Sequence, residues 1–153
     1  MFQFTKRTEY GLIALVHLAD REGEVVSARE IGDHYGLPPR LLAQAFKDLQ
    51  QAGLVTSQRG ATGGYSLARP AQSVTLGEVV SAVEGVPTLT SCEVSKLTRA
   101  LPETSCEVKP LCPIRSPLQR LREGLWALLN STTLRALADS PFTTADLLAA
   151  PSD

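Results

Sequence analysis

The chain has 153 residues, enough for one compact core with an appended element and too few for two ordinary domains. Its 15 basic and 16 acidic residues leave a net charge of −1, so composition alone carries no electrostatic footprint of nucleic-acid binding. No run of about eighteen apolar residues is present and Met1–Arg7 lacks the apolar stretch of a secretion signal, which argues against a membrane partner and leads to the expectation of a cytoplasmic protein.

In chain order, Thr5 can cap a first helix over residues 5–20, where Leu12, Ile13, Leu15, Val16 and Ala19 repeat with helical period. Ser27-Ala28-Arg29-Glu30 has the S-x-x-E form of a capping box, and Gly36 offers a left-handed stop, which predicts a short second helix over about 28–35. Pro38 and Pro39 suit the first turn of a third helix, whose apolar face Leu42, Ala45, Phe46 and Leu49 runs until Gly53. Two helices joined by a short glycine-containing turn form a helix-turn-helix, and also occur as plain packing.

The segment after Gly53 decides between these two possibilities. Leu54–Ser57 and Tyr65–Leu67 read as strands joined by Arg59-Gly60-Ala61-Thr62-Gly63-Gly64, whose glycines permit positive φ at a hairpin tip. That is a wing carrying an arginine. Thr75-Leu76-Gly77-Glu78 is a second capping box, opening a helix that includes Val79, Val80 and Val83, stops at Gly85 and is expected to pack beneath the wing.

From Val86 to Pro113 periodicity fails, prolines recur and all three cysteines occur, so residues 86–113 read as a functional loop. Ser116 as N-cap, Pro117 in the first turn and Gln119 as the box residue then start a long helix, expected over about 114–138. Leu118, Leu121, Leu125, Leu128 and Thr132 alternate at spacings of three and four, a seam that the same helix of a second subunit would cover. A helix folded back on its own domain is the alternative. Residues 139–153 read as a loosely held tail. The fold class is therefore mainly α with a small β-hairpin: a winged helix-turn-helix domain over 1–85, the cysteine loop, and a C-terminal dimerisation helix.

On the third helix, side chains opposite the apolar face include Pro39, Arg40, Gln44 and Lys47. Arginine can grip guanine and glutamine adenine with paired hydrogen bonds, which makes Arg40 and Gln44 the candidate base readers. Arg59 stands where a wing meets the narrow minor groove, whose negative potential favours arginine. Lys6 and Arg7 are candidate phosphate contacts, and Ser27, Gly60 and Tyr65 complete the candidate DNA-binding set. Between Pro38 and Arg69 the basic residues Arg40, Lys47, Arg59 and Arg69 face Asp48 alone, a weak local excess that a solvated surface also explains. A dimer would read two inverted half-sites of double-stranded DNA.

Cys92, Cys106 and Cys112 lack the C-x₂₋₄-C spacing of structural zinc sites. Soft thiolates on a loop suit an iron–sulfur cluster, which ordinarily takes four ligands. Three cysteines leave one position to another donor. No phosphate-binding glycine loop, nucleophile–base pair or metal-hydrolase motif occurs, so no enzyme and no small-molecule substrate is expected.

The order of elements, the wing Arg59-Gly60-Ala61-Thr62-Gly63-Gly64-Tyr65-Ser66-Leu67, the block Leu76-Gly77-Glu78-Val79-Val80, the start Thr5-Lys6-Arg7-Thr8-Glu9-Tyr10 and the clustered cysteines resemble the IscR/NsrR/SufR (Rrf-type) family of bacterial regulators over residues 1–138. Cys106-Glu107-Val108-Lys109-Pro110-Leu111-Cys112-Pro113-Ile114-Arg115 looks most like the branch that controls iron–sulfur assembly. The resemblance implies a homodimeric DNA-binding regulator, a repressor or activator of promoters switched by a [2Fe–2S] or [4Fe–4S] cluster. IscR-like members place a histidine after the third cysteine, whereas Pro113-Ile114-Arg115-Ser116 comes next here and the histidines are His17 and His34. Some NsrR-like members use an acidic residue of the partner's first helix, which implies Glu9 as the fourth ligand. Glu107, an external thiol and solvent are the other options. A cluster-free thiol sensor using Cys106 and Cys112, and a winged helix that binds protein, are the competing readings.

Overall fold

The computed structural model describes residues 3–86, 88–89 and 111–139. Among the described residues, five helices, two strands and a 3₁₀ turn build the winged domain and its appendage, joined by one further short helix: α1 (Lys6–Ala19), α2 (Ala28–Tyr35), α3 (Pro39–Gln51), β1 (Val55–Gln58), β2 (Gly64–Leu67), the turn Ala71–Ser73 and α4 (Leu76–Glu84), then α5 (Arg115–Ser131) and the short α6 (Leu134–Ala138). The fold is mainly helical with a two-stranded antiparallel hairpin.

Side-chain capping places the helix starts. The hydroxyls of Thr5, Ser27 and Thr75 accept the backbone N–H of Thr8, Glu30 and Glu78, and Glu78 returns the contact to the Thr75 N–H, closing the reciprocal box. Gly36 ends α2 in the left-handed region with φ 65°. The apolar stripe of α3 packs on α1, and Leu15, Leu18, Ile31, Leu42, Phe46, Leu49 and Leu54 are almost wholly buried in one core. Each such side chain gains about 1.5–3 kcal/mol on leaving water.

The hairpin pairs Val55 with Leu67 and Gln58 with Gly64. A third backbone segment joins it: Val26, just before α2, exchanges both hydrogen bonds with Tyr65 at 2.8 and 2.9 Å. Two of the tip glycines serve a purpose other than positive φ, which belongs to Gly60 (φ 119°). A Cβ on Gly64 would sit 2.3 Å from the Val26 carbonyl oxygen, and one on Gly63 2.4 Å from that of Gln58. Backbone meets backbone there, and no larger residue fits.

Three sequence expectations are corrected. Helix α4 packs on α1, α3 and α5 rather than under the hairpin, to which Arg69 ties it through an ion pair with Glu78. Helix α5 begins at Arg115 with Ile114 as an uncapped N-cap, not at Ser116. It also stops at Ser131 instead of running to 138. Thr132 is extended (φ −86°, ψ 114°) and buried, because its carbonyl accepts the Leu76 N–H at 2.8 Å while Leu134 donates to the Val74 carbonyl at 2.7 Å. The chain turns there so that Leu134 enters the core of the winged domain. Most of the loop assigned to 86–113, and the tail after Asp139, lie outside the described residues.

Candidate nucleic-acid interface and sensor segment

Helix α3 differs from α1, α2 and α4 at its start: Pro38 offers no side-chain cap, Pro39 occupies the first turn, and that turn holds no acidic residue. Its N-terminal N–H groups are left to an outside acceptor, and the helix dipole favours an anion there. Along its outer surface Pro39, Arg40, Ala43, Gln44 and Lys47 are exposed. Arg40 and Lys47 make no ion pair with a described residue, and neither does Arg59 at the hairpin tip, where Gly60 is also exposed. Sequence reasoning passed over Ala43, whose small side chain between Arg40 and Gln44 allows close approach of the helix to a surface.

The hairpin is fastened to α3 at two points. The ring of Tyr65 lies flat on Phe46, centroids 4.0 Å apart and planes 7° from parallel, and Gln50 donates to the Ser57 hydroxyl at 2.9 Å. The reach of Arg59 relative to α3 is therefore set by packing rather than by a free loop.

Several candidate residues have work inside the molecule. Tyr65 serves the core with its ring and the Val26 pairing with its backbone. The Ser27 hydroxyl accepts the Glu30 N–H at 3.1 Å as the cap of α2. Lys6 pairs with Glu9 on the exposed first turn of α1, which holds the lysine charged by its hydrogen bond to Glu9 and by the carboxylate's charge. Arg7 donates from Nη2 to the Val83 carbonyl at 2.7 Å and brings Nε within 3.4 Å of Asp48 Oδ2.

The first turn of α1 is also clasped by the last residue of α4. Glu84 Oε1 accepts the Thr5 N–H at 2.7 Å and the Thr8 hydroxyl. Burial works to raise the Glu84 pKa, but the hydrogen bonds from Thr8 and Thr5 and the nearby Arg7 charge outweigh it and hold the carboxyl below its ordinary value. At the far end of α1, His17 is buried with Nδ1 3.1 Å from the Tyr35 hydroxyl. Burial lowers its pKa, and the Arg21 and His34 charges add to the effect against Glu30 and Asp20.

Of the candidate cluster ligands, Cys112 is a half-buried free thiol three residues before α5, and Glu9 faces Lys6; Cys92 and Cys106 lie outside the described residues. No group of three His, Cys, Asp or Glu that could hold a metal ion comes together among the described residues. Helix α5 has no buried residue, and Leu121 is 55% and Ile114 56% exposed. No described helix is long and apolar enough to cross a membrane.

The family model named Rrf2, described as iron-dependent transcriptional regulators, matches residues 4–140. The chain belongs to the Rrf2 family. Among solved structures it is similar to CymR of B. subtilis, described as the global cysteine regulator, at 29% identity and TM-score 0.68, with 91% of this chain and 98% of that one covered. CymR of Staphylococcus aureus in its oxidized form is similar at 28% identity and TM-score 0.67, covering 93% and 100%. IscR of T. potens is 25% identical with TM-score 0.65, over 99% and 94% of the two chains. The expected fold class and family thus hold, and the protein is a DNA-binding transcriptional regulator rather than an enzyme. As an Rrf2 regulator it carries the winged helix in residues 6–84, with the α5 helix appended.

Proposed function

We propose that this Rrf2 regulator acts as a homodimer on an inverted-repeat operator, with α3 in the major groove and the hairpin tip at the minor groove, repressing genes of iron–sulfur assembly or of a stress response. One observation carries the DNA reading: α3 starts uncapped beside Arg40, Gln44 and Lys47, and the hairpin bearing Arg59 is locked to the same helix. Pro39 and Gly60 shape the helix start and the tip. Arg7 and Tyr65 fall outside this reading set because their side chains are engaged within the fold. The exposed Leu121 and the half-buried Leu118, Leu125 and Leu128 of α5 support the dimer, since the apolar area they leave in water costs what a second copy would recover.

The sensing part rests on Cys92, Cys106 and Cys112. Three thiolates are the donor set of an iron–sulfur cluster, with Glu9 of a partner subunit as the fourth ligand once it leaves Lys6. Such a cluster supplies a centre that oxygen, nitric oxide or iron shortage can remove. A second reading, a cluster-free thiol switch that pairs Cys106 with Cys112, draws on the similarity to CymR, one structure of which is an oxidized form. The two separate in one experiment. Protein purified without oxygen is measured by visible absorption, with iron and sulfide counted per chain, beside Cys106→Ala. Absorbance that vanishes in the variant supports the cluster; colourless protein whose operator affinity changes on thiol oxidation supports the disulfide.

A further inference from the structure

Arg7 joins three elements. Its backbone is in the first turn of α1, its Nη2 donates to the carbonyl of Val83 at 2.7 Å near the end of α4, and its Nε faces Asp48 of α3 at 3.4 Å. Asp48 Oδ2 is enclosed and makes no hydrogen bond with a described residue, so the guanidinium is the counter-charge on which it depends. The Asp48 side chain keeps 24% of its surface exposed, but its Oδ2 is enclosed and would be left without a partner if Arg7 moved away, so α3 is held where Arg7 can reach it. Asp48 follows Lys47 directly and stands one turn beyond Gln44. The other end of the tie is equally fixed, because Glu84 clasps Thr5 and Thr8 one residue after Val83, and two residues later the chain enters the segment that carries the cysteines.

We infer that Arg7 is a positioning residue for DNA readout, setting the recognition helix through Asp48 against the α4 end from which the cysteine segment departs. The inference rests on the proposed role of α3 in reading the operator. A basic residue at a helix start is usually assigned to a phosphate, and the two roles differ in what they change. A phosphate contact lowers affinity for every duplex and reduces the log–log salt slope by about one. A positioning residue alters specific affinity and leaves both the slope and non-specific affinity in place.

The test uses the full chain and a duplex selected from a random library by the wild-type protein, with a random duplex of equal length beside it. Arg7→Ala and Asp48→Asn should each weaken binding to the selected duplex about tenfold or more, with the salt slope and the random-duplex affinity unchanged, and the double variant should be no weaker than either alone. A parallel loss on both duplexes with a shallower slope, or an Asp48→Asn variant that binds like wild type, overturns the inference. Where Arg7→Ala does not fold, Asp48→Asn decides, since it removes the carboxylate charge that Arg7 faces. If Arg40→Ala leaves the selected-to-random ratio intact, the reading of α3 fails instead. Amide exchange along residues 44–51 then judges the tie: faster exchange in Asp48→Asn supports it and unchanged exchange overturns it.

Discussion

Thr133 pairs with Thr75 in an isolated antiparallel bridge, joining the N-cap of α6 to the N-cap of α4 across 58 positions of sequence. Around it, Thr132 accepts from Leu76, Leu134 donates to Val74, and Arg135 reaches the Ala19 carbonyl, Glu22 and Asp20 at the end of α1. The long helix is therefore anchored to the winged domain at its C-terminal end. Leu134 is the apolar part of this anchor, 2% exposed. Leu134→Ala should cost about 2–5 kcal/mol, read as a lower midpoint in urea unfolding. A loss under about 1 kcal/mol would mean that α6 is not part of the cooperative core.

The close approach at Gly64 leads to a sharper expectation. An added methyl meets the Val26 carbonyl, a backbone atom paired to Tyr65 and unable to give way without breaking the third edge of the wing. Gly64→Ala should destabilise the fold by about 1–3 kcal/mol. Gly60→Ala meets no atom, so its cost is confined to the backbone strain of φ 119°. Circular dichroism melts of the two variants check the order.

Three groups with depressed folded pKa values, His17, Glu78 and Glu84, contribute to the acid limb of stability. His17 has a folded pKa below its ordinary 6.5, so below 6.5 the unfolded chain binds a proton that the folded one refuses. Its contribution is complete above 6.5 and is lost as pH falls from there toward the folded value. Glu84 behaves in the same sense from 4.5 downward, because its folded pKa is also depressed. Melting temperature should begin to fall as pH drops below 6.5, and His17→Phe should flatten that upper step while leaving the loss below 4.5. Glu84→Gln should lower stability at about pH 7 and reduce the lower step in part, the remainder belonging to Glu78, which, against the opposing effect of burial, Arg69 and the Thr75 N–H hold below its ordinary pKa. A His17→Phe profile that still falls by the wild-type amount over the upper step would assign that limb to other groups.

The interface separates into reading and assembly. Arg40→Ala should cost about 1–3 kcal/mol on the selected duplex, roughly 5- to 150-fold, and relax preference at one base position of each half-site. Competition binding across single-base variants of the duplex reads this directly.

On α5, Leu121→Asp should convert a dimer into a chain of 16.4 kDa in sedimentation and weaken operator binding through lost avidity rather than lost contacts. An unchanged mass would move the dimer contact elsewhere.

The capping box at Thr75, the hydroxyl cap at Ser27, whose box partner Glu30 pairs with Arg21 instead, the left-handed stop at Gly36 and the three-and-four stripe of α3 are local signals, each written in neighbouring residues, and so the sequence by itself determined the helices of the winged domain to within a residue or two. The exposed Arg40, Gln44, Lys47 and Arg59 were legible for the same reason, being what remains once the apolar stripe and the hairpin glycines are assigned. Tertiary structure alone decided the rest. The break at Thr132 competes with an unbroken helical pattern and results from backbone hydrogen bonds to Val74 and Leu76, far away in sequence. Gly63 and Gly64 are needed for closeness to other backbone and not for their own dihedrals. Arg7 and Tyr65 look like surface groups in a sequence, because nothing local announces that Val83, Asp48 and Phe46 will arrive beside them. Long-range contacts of this kind depend on how whole elements pack, and packing is a property of surfaces that form only when the chain has folded.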